Sequence, residues 1–491
     1  MSPTMEHAAR AYSVDPESAP SPKRFRPSRI LKRWFVGIRT VSRLAWPVVL
    51  VLAFWNSGRE GYRTNSEALK QQFLSSPTGL LYSPWQLLRM YVSRDSDERL
   101  YYAYTQLVRG REFSPTFIAD RRAVSVEQLR IRPGSEWRVP YRDFSVEYPP
   151  LAWAAILPPA FLANSLGGYR LAFGLWMAIL TFSTVMLAWR LRRRLMPHAE
   201  LQGTARASFL LLLALGPILV IRYDILPAFF TLLAVERAIA RRPFQAGLAL
   251  GAGAMCKIYP LFLAPVFVAA WLGSEREQSK KSLLRFGVGM AASVAAILVP
   301  FVLIAPSGLA DLVGHSLRPL EIESVLGTPF LLYPGAHSFH ASGCINLAAP
   351  GTETAARLSG WLFLGVLAGC LPAIYWMAKA DLATGMIDGC LLVLLGLLCT
   401  SKVLSAQYLI WLVPFLFIRH ERQPQWLVWG LGLAMALAQV WYPMLWGQIV
   451  NLRLPGVGLL MARNLLLAVL FAAYVVTTRR RALVATGESA G

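Results

Sequence analysis

The chain predicts an all-α protein that crosses a membrane many times, and three observations carry that prediction. Hydrophobic residues make up 55% of its 491 positions and charged residues only 15%, whereas a soluble domain needs about 25% charged residues to cover its surface. From Pro150 onward, apolar stretches of helical length alternate with short polar loops. Basic residues gather in some of those loops and not in others, which is how a chain fixes its orientation in a bilayer. The same composition excludes disorder and disulfide scaffolds.

The N-terminal stretch 1–33 is polar, rich in Pro and Ser, and ends in Lys23, Arg24, Arg26, Arg29, Lys32 and Arg33. It reads as a disordered, basic cytoplasmic segment. Residues 34–56 read as the first transmembrane helix. Its apolar stretch Leu44 to Trp55 is short, so Trp34 to Ile38 must extend it while Arg39 and Arg43 snorkel to the headgroups. A signal peptide has the same charged-then-apolar order, but no small-residue cleavage site follows here.

Residues 57–168 form the large first extracytoplasmic loop. Trp85 to Tyr91 and Tyr101 to Leu107 mix apolar, aromatic and polar residues at helical spacing, as helices lying at an interface do. Leu151 to Leu162 is apolar but too short to cross and carries Pro158 and Pro159. Had it crossed, Arg190–Arg194 would lie outside, so it reads as a juxtamembrane helix on the outer face.

Residues 169–478 form the helical bundle and 479–491 a cytoplasmic tail. Cytoplasmic loops are marked by Arg190–Arg194, Arg237–Arg242, Arg276–Arg285, Lys379, Arg419–Arg422 and Arg479–Arg481. The count comes to about twelve spans with both termini inside. Parity then places three polar breaks on the outer face: Arg222 to Asp224, Lys257 to Pro260, and Lys402 to Gln407. Short apolar segments broken at Lys257-Ile-Tyr-Pro260 suggest non-helical backbone bordering a cavity.

The net charge of +22 would suggest nucleic acid in a soluble protein. Here it belongs to orienting loops, and no nucleic-acid partner is expected. The five cysteines show neither metal-ligand spacing nor a disulfide framework.

Chemistry is expected where polar residues collect on the outer face. Asp95, Asp97 and Glu98 precede Tyr101. Asp143, Glu147 and Tyr148 follow within one loop, and Arg222, Asp224, Lys257, His315, Arg318, Glu321, Glu323, Lys402 and Gln407 share that side. Carboxylates beside cations suit a phosphate leaving group next to a general base. Each has a structural alternative. Asp97 could cap the helix that follows it, Asp143 could pair with Arg142, and Arg222 with Asp224 could be an ion pair at a helix end. His315 could be a solvated loop residue. Lys257 follows a run of Ala, Gly, Met and Cys, so its amine needs an anion. The tyrosines could be interface anchors.

The order of motifs is more specific than any one of them. Ser96-Asp97, Tyr101, Gly110, Pro140-Tyr141-Arg142-Asp143-Phe144 and Glu147-Tyr148-Pro149-Pro150-Leu151 come first. Arg222-Tyr223-Asp224, Lys257-Ile258-Tyr259-Pro260-Leu261, Arg318-Pro319 with Glu323-Ser324, and Gln407-Tyr408 with Trp411 and Pro414 follow. From Ser96 to Pro414 this series resembles glycosyltransferase family 87, in the GT-C superfamily of polyprenol-phosphate-sugar-dependent enzymes.

The resemblance implies a GT-C-like helical bundle in a bacterial inner membrane with its active site outside. It implies a polyprenyl-phosphate sugar donor, with mannose or arabinofuranose the expected sugars, and a glycolipid or glycan acceptor. Asp97 matches the position of the general base, with Asp95 as its neighbour. Lys257, Arg222, Arg318 and His315 are the candidates for holding donor phosphate. Tyr101, Asp143, Glu147, Tyr148, Asp224, Glu323 and Gln407 are expected to position substrates. No metal or other cofactor is implied. The stretch 111–139 departs from the family pattern as an Arg-rich insert. Two other classes fit a multi-span chain: a transporter or flippase for lipid-linked sugars, and a polysaccharide polymerase. No clear internal repeat supports the first, and the large loop comes early in the chain for the second.

Overall fold

The computed structural model describes residues 97–110, 138–198, 201–274, 279–306, 318–341, 343–419 and 423–486. The first span, the helix expected at Trp85 to Tyr91, nearly all of the insert, and both Asp95 and His315 lie outside the described residues. Within them the protein is mostly helical. Helix α1 (Glu98–Val108) opens the described chain. The apolar stretch after Pro150 folds as a 3-10 turn (Pro150–Ala152) and two short helices, α2 (Trp153–Ile156) and α3 (Pro158–Phe161). None is long enough to cross.

The bundle starts with α4 (Leu166–Leu195), capped by Ser165, whose hydroxyl accepts the Gly168 N–H at 3.1 Å. It continues through α5 (Leu201–Leu215), α6 (Ile218–Ile221), α7 (Ile225–Ile239) and α8 (Pro243–Cys256). A 3-10 turn (Tyr259–Leu263) leads into α9 (Ala264–Ser274), followed by α10 (Ser279–Ile304). A two-stranded antiparallel hairpin, β1 (His337–Ala341) and β2 (Cys344–Ala348), precedes α11 (Thr352–Ala380) and α12 (Leu382–Thr400). A 3-10 helix (Ala406–Leu412) then leads to α13 (Val413–Arg419) and α14 (Gln425–Gln439). A kinked segment (Val440–Met444), α15 (Trp446–Val450) and α16 (Leu454–Thr486) end the described chain.

Five of these helices, α4, α10, α11, α12 and α16 (as Leu454–Val484), are long and apolar enough to cross a membrane, and shorter apolar helices cover 203–215, 259–274 and 406–418. Their burial separates centre from rim. The apolar window of α12 is 94% buried and that of α10 only 11%. Helices α7 and α8 have 15 and 14 residues, about 22 Å at 1.5 Å per residue, which is less than a hydrocarbon core of about 30 Å. The links beside them are Arg222 to Asp224 and Lys257-Ile258.

Ion pairs fix the two ends of the bundle. At one end, Arg194 of α4 pairs with Glu236 of α7, which Arg237 also meets at 3.2 Å. Asp388 of α12 pairs with Arg481 of α16 at 2.9 Å. The charged residues at the start of α7 lie at the opposite end, where the hairpin also sits. Leu347 N–H donates to the Leu320 carbonyl, Ile322 N–H to Ile345, and Glu321 N–H to Lys402. The loops 318–322 and 401–405 are thereby stitched to the hairpin.

Helix pairing relies on small residues, as it must where lipid supplies no hydrophobic drive. A Cβ on Gly247 of α8 would stand 2.1 Å from the Phe286 carbonyl oxygen, and one on Gly289 of α10 would stand 2.2 Å from that of Phe244. Gly287 of α10 faces open space. Gly289→Ala should therefore separate α8 from α10 and lower stability by about 1–3 kcal/mol, read as the midpoint of unfolding in detergent. Gly287→Ala should leave that midpoint unchanged or raise it slightly.

Candidate functional site

Asp97 occupies the N-cap position of α1, yet its side chain makes no capping hydrogen bond. Its carboxylate instead forms an ion pair with the Arg222 guanidinium, and about a third of the Asp97 side chain stays exposed. Between a cap and a cluster member, the structure chooses the second. Arg222 reaches the pair because it ends α6 in extended backbone (φ −131°, ψ 143°). It also donates a hydrogen bond of 2.8 Å to the Tyr442 hydroxyl.

Asp224 repeats the arrangement. It sits at the N-cap position of α7 without capping it. Asp224 Oδ1 accepts the Lys257 amine at 2.6 Å and the Trp411 indole N–H at 2.8 Å. The Trp411 ring stacks between Tyr259 at 3.9 Å and Tyr408 at 4.2 Å. The Lys257 amine lies 4.6 Å from the Tyr408 ring centroid and 5.4 Å from that of Trp411, within cation–π range. The sequence alternative of an Arg222–Asp224 pair is not the arrangement seen, because each residue takes a different partner. Burial lowers the Lys257 amine's proton affinity, Asp224 opposes that, and the charges of Arg222 and Arg318 lower it further. Three of the four cations picked from the sequence thus lie within electrostatic reach of one another.

Arg318 forms the third pair, with Glu147 at 3.5 Å. Its other terminal nitrogen meets Cys344 Sγ at 3.6 Å. The hairpin turn lies against this pair. Gly343, at φ +73°, would bring a Cβ to within 2.9 Å of Glu147 Oε1, so a side chain there would strain the backbone and crowd the carboxylate. Burial raises the Glu147 carboxyl above its ordinary range, and Arg318 opposes the rise. Buried Glu321 supports the assembly from below, accepting the Leu404 N–H at 2.6 Å and the Ser405 hydroxyl at 3.2 Å.

An aromatic wall closes one side. Tyr148 packs edge-on against Tyr223 at 5.2 Å and Tyr101 at 5.8 Å, and Tyr101 also meets Tyr223 at 5.8 Å. Tyr101 and Tyr223 are core residues beside the cluster, and Tyr148 is partly buried against them. Gln407 lies in the 3-10 helix that carries Tyr408 and Trp411. Two expected residues also make structural bonds. Asp143 holds its own loop, accepting the Val139 N–H at 2.8 Å and two Arg142 bonds of 2.9 Å. Glu323 lends its carbonyl to Arg463 at 2.9 Å and to Asn464 at 3.3 Å, beneath the site.

Sequence reasoning did not select Tyr442, Cys344 or Trp411 as site residues. Trp411 had a signal, since it falls four residues after Gln407 in the motif series. Tyr442 had none beyond its place before Pro443 in an apolar segment.

The sequence model of glycosyltransferase family 87 matches residues 146–401, just over half of the chain. No curated protein matches it significantly. The matched span contains Glu147, Arg222, Asp224, Lys257 and Arg318, while Asp97, Trp411 and Tyr442 lie outside it.

The Asp224–Lys257 pair sets a stability prediction. Asp224→Asn leaves a largely buried ammonium without its counter-charge and should cost about 3–5 kcal/mol. Trp411→Phe keeps the stack, loses one hydrogen bond to a charged group, and should cost about 1.5–3 kcal/mol. Both are read from unfolding midpoints of the purified protein, and equal losses would contradict the ranking.

Proposed function

Because the chain belongs to glycosyltransferase family 87, we propose that it moves a sugar from a polyprenyl-phosphate donor to a glycolipid or glycan acceptor outside the bacterial inner membrane. Asp97 beside Arg222 is the observation that carries this reading: a partly exposed carboxylate next to a recessed guanidinium, with Lys257 and Arg318 in electrostatic reach. Asp97 acts as general base, with Asp95 as the alternative. It removes the acceptor hydroxyl proton as that oxygen bonds to the anomeric carbon. The bond from that carbon to the phosphate oxygen breaks, and polyprenyl phosphate leaves with the electron pair. Phosphate needs little acid assistance to leave, but it does need cations nearby, and Arg222, Lys257, Arg318 and His315 supply them. The sugar is mannose or another hexose or pentose, and no metal takes part.

The resting pairs support a division of labour. Lys257 is bound tightly to Asp224 and Trp411 and keeps those partners. Arg222 and Arg318 hold exposed or longer-range carboxylates, so the donor phosphate recruits these two. Once Arg222 turns to phosphate, Asp97 is released to meet the acceptor. Tyr101, Glu147, Tyr148 and Gln407 position the sugars, while Asp224, Asp143 and Glu323 position the elements around them. This reading takes a bundle of about twelve spans with both termini cytoplasmic, the end with the cluster outside, and the Arg-rich ends of α4, α7 and α16 inside.

The test supplies purified protein with polyprenyl-phosphate sugars and glycolipid acceptors and measures release of polyprenyl phosphate. Asp97→Asn should lower turnover about 10²–10⁴-fold. Full turnover in that variant removes Asp97 as the base and passes the role to Asp95. Movement of intact lipid-linked sugar across vesicles without bond cleavage would instead identify a transporter.

A further inference from the structure

Tyr442 lies outside the family match and was not selected from the sequence, yet its hydroxyl accepts a 2.8 Å hydrogen bond from Arg222, 220 positions earlier. A local backbone break brings it there. The chain leaving α14 kinks within Val440–Met444, where Tyr442 has non-helical angles (φ −114°, ψ 108°). Residue 443 is proline, and the residue before a proline is driven from the α region toward extended backbone. The Tyr442 ring is then held edge-on by Trp441 at 5.6 Å and Trp446 at 5.7 Å. Arg463 lies 5.3 Å over Trp441 and is itself bound to the Glu323 carbonyl. The ring is therefore braced from behind, with its hydroxyl directed at the guanidinium.

We infer that Tyr442 is a positioning residue for Arg222, keeping the guanidinium aimed into the site when donor phosphate replaces Asp97 as its anionic partner. This rests on the reading of Arg222 as a donor-phosphate ligand. Among the described residues, Arg222 meets Asp97 and Tyr442. Phosphate competes with the carboxylate, being an anion, and does not compete with the neutral hydroxyl. After the exchange Tyr442 retains the guanidinium, which would otherwise be free to follow either anion. The Pro443 break is what supplies this hold, since an uninterrupted helix would carry residue 442 along a different direction.

The experiment measures binding of a short-chain prenyl phosphate, and of the uncharged prenol of equal length, to the full-length protein in nanodiscs. Tyr442→Phe removes one hydroxyl and should weaken prenyl phosphate about tenfold while leaving prenol binding unchanged. Pro443→Ala, which acts through the backbone, should produce the same selective loss. In an Arg222→Gln background, Tyr442→Phe should add nothing, as expected for residues acting through one contact. Unchanged phosphate affinity in Tyr442→Phe, with loss in Arg222→Gln, overturns the inference and leaves Arg222 as a phosphate ligand. Losses that multiply in the double variant also overturn it. If the unmodified protein binds phosphate no better than prenol, the donor-site reading fails and the inference fails with it.

Discussion

The end of this bundle that carries the hairpin depends on the bond between Lys257 and Asp224. Two helices, α7 and α8, are too short to cross a bilayer and end in polar links. An ammonium or carboxylate left alone there would be costly. Each link supplies one charge, and the 2.6 Å contact joins them. The Trp411 indole N–H binds the same oxygen, bringing the 3-10 helix after α12 into the arrangement. One ion pair thus locks three separate stretches of chain together and anchors the stack of Tyr259, Trp411 and Tyr408.

Around this lock the other charges are arranged with more freedom. Helix N-terminal positions normally use an aspartate to satisfy the first N–H groups. Asp381 does so, accepting the Ala383 and Thr384 N–H groups. Asp97 and Asp224 stand at equivalent positions and make no such cap bond. The helix dipole still favours a negative charge there, so the two carboxylates are stabilised in place while their oxygens remain available to cations.

Composition was enough to read the membrane bundle, because few charges and long apolar runs admit few other folds. The polar breaks were legible too, since Arg222, Asp224 and Lys257 interrupt apolar sequence where an unpaired charge is hard to place. What the sequence could not reveal was pairing. Arg222 and Asp224 are two residues apart and look like a natural pair, but extended backbone at Arg222 sends the guanidinium to Asp97 and frees Asp224 for Lys257. Asp143 looked like a cavity residue, yet the turn Val139 to Phe144 closes on it first. Tyr442 reaches Arg222 from 220 positions away, and such distant contacts leave no local periodicity to read.

The pairing explains how three cations can share a recessed site before any substrate arrives. Arg222, Lys257 and Arg318 would repel one another in a low-dielectric cavity. Each instead faces one carboxylate: Asp97, Asp224 and Glu147 respectively. The resting cluster is therefore close to neutral, which lets it exist without a ligand. It also means that an entering phosphate cannot simply add to free positive charge. It must exchange with a carboxylate, and the exchange is easiest where that carboxylate can be rehydrated. Asp224 is 2% exposed and Asp97 is 36% exposed. The pair designed by its burial to persist is the structural one, and the pair open to water is the one that contains the proposed base. Exposure alone thus separates the charge that holds the fold from the charge that is free to act.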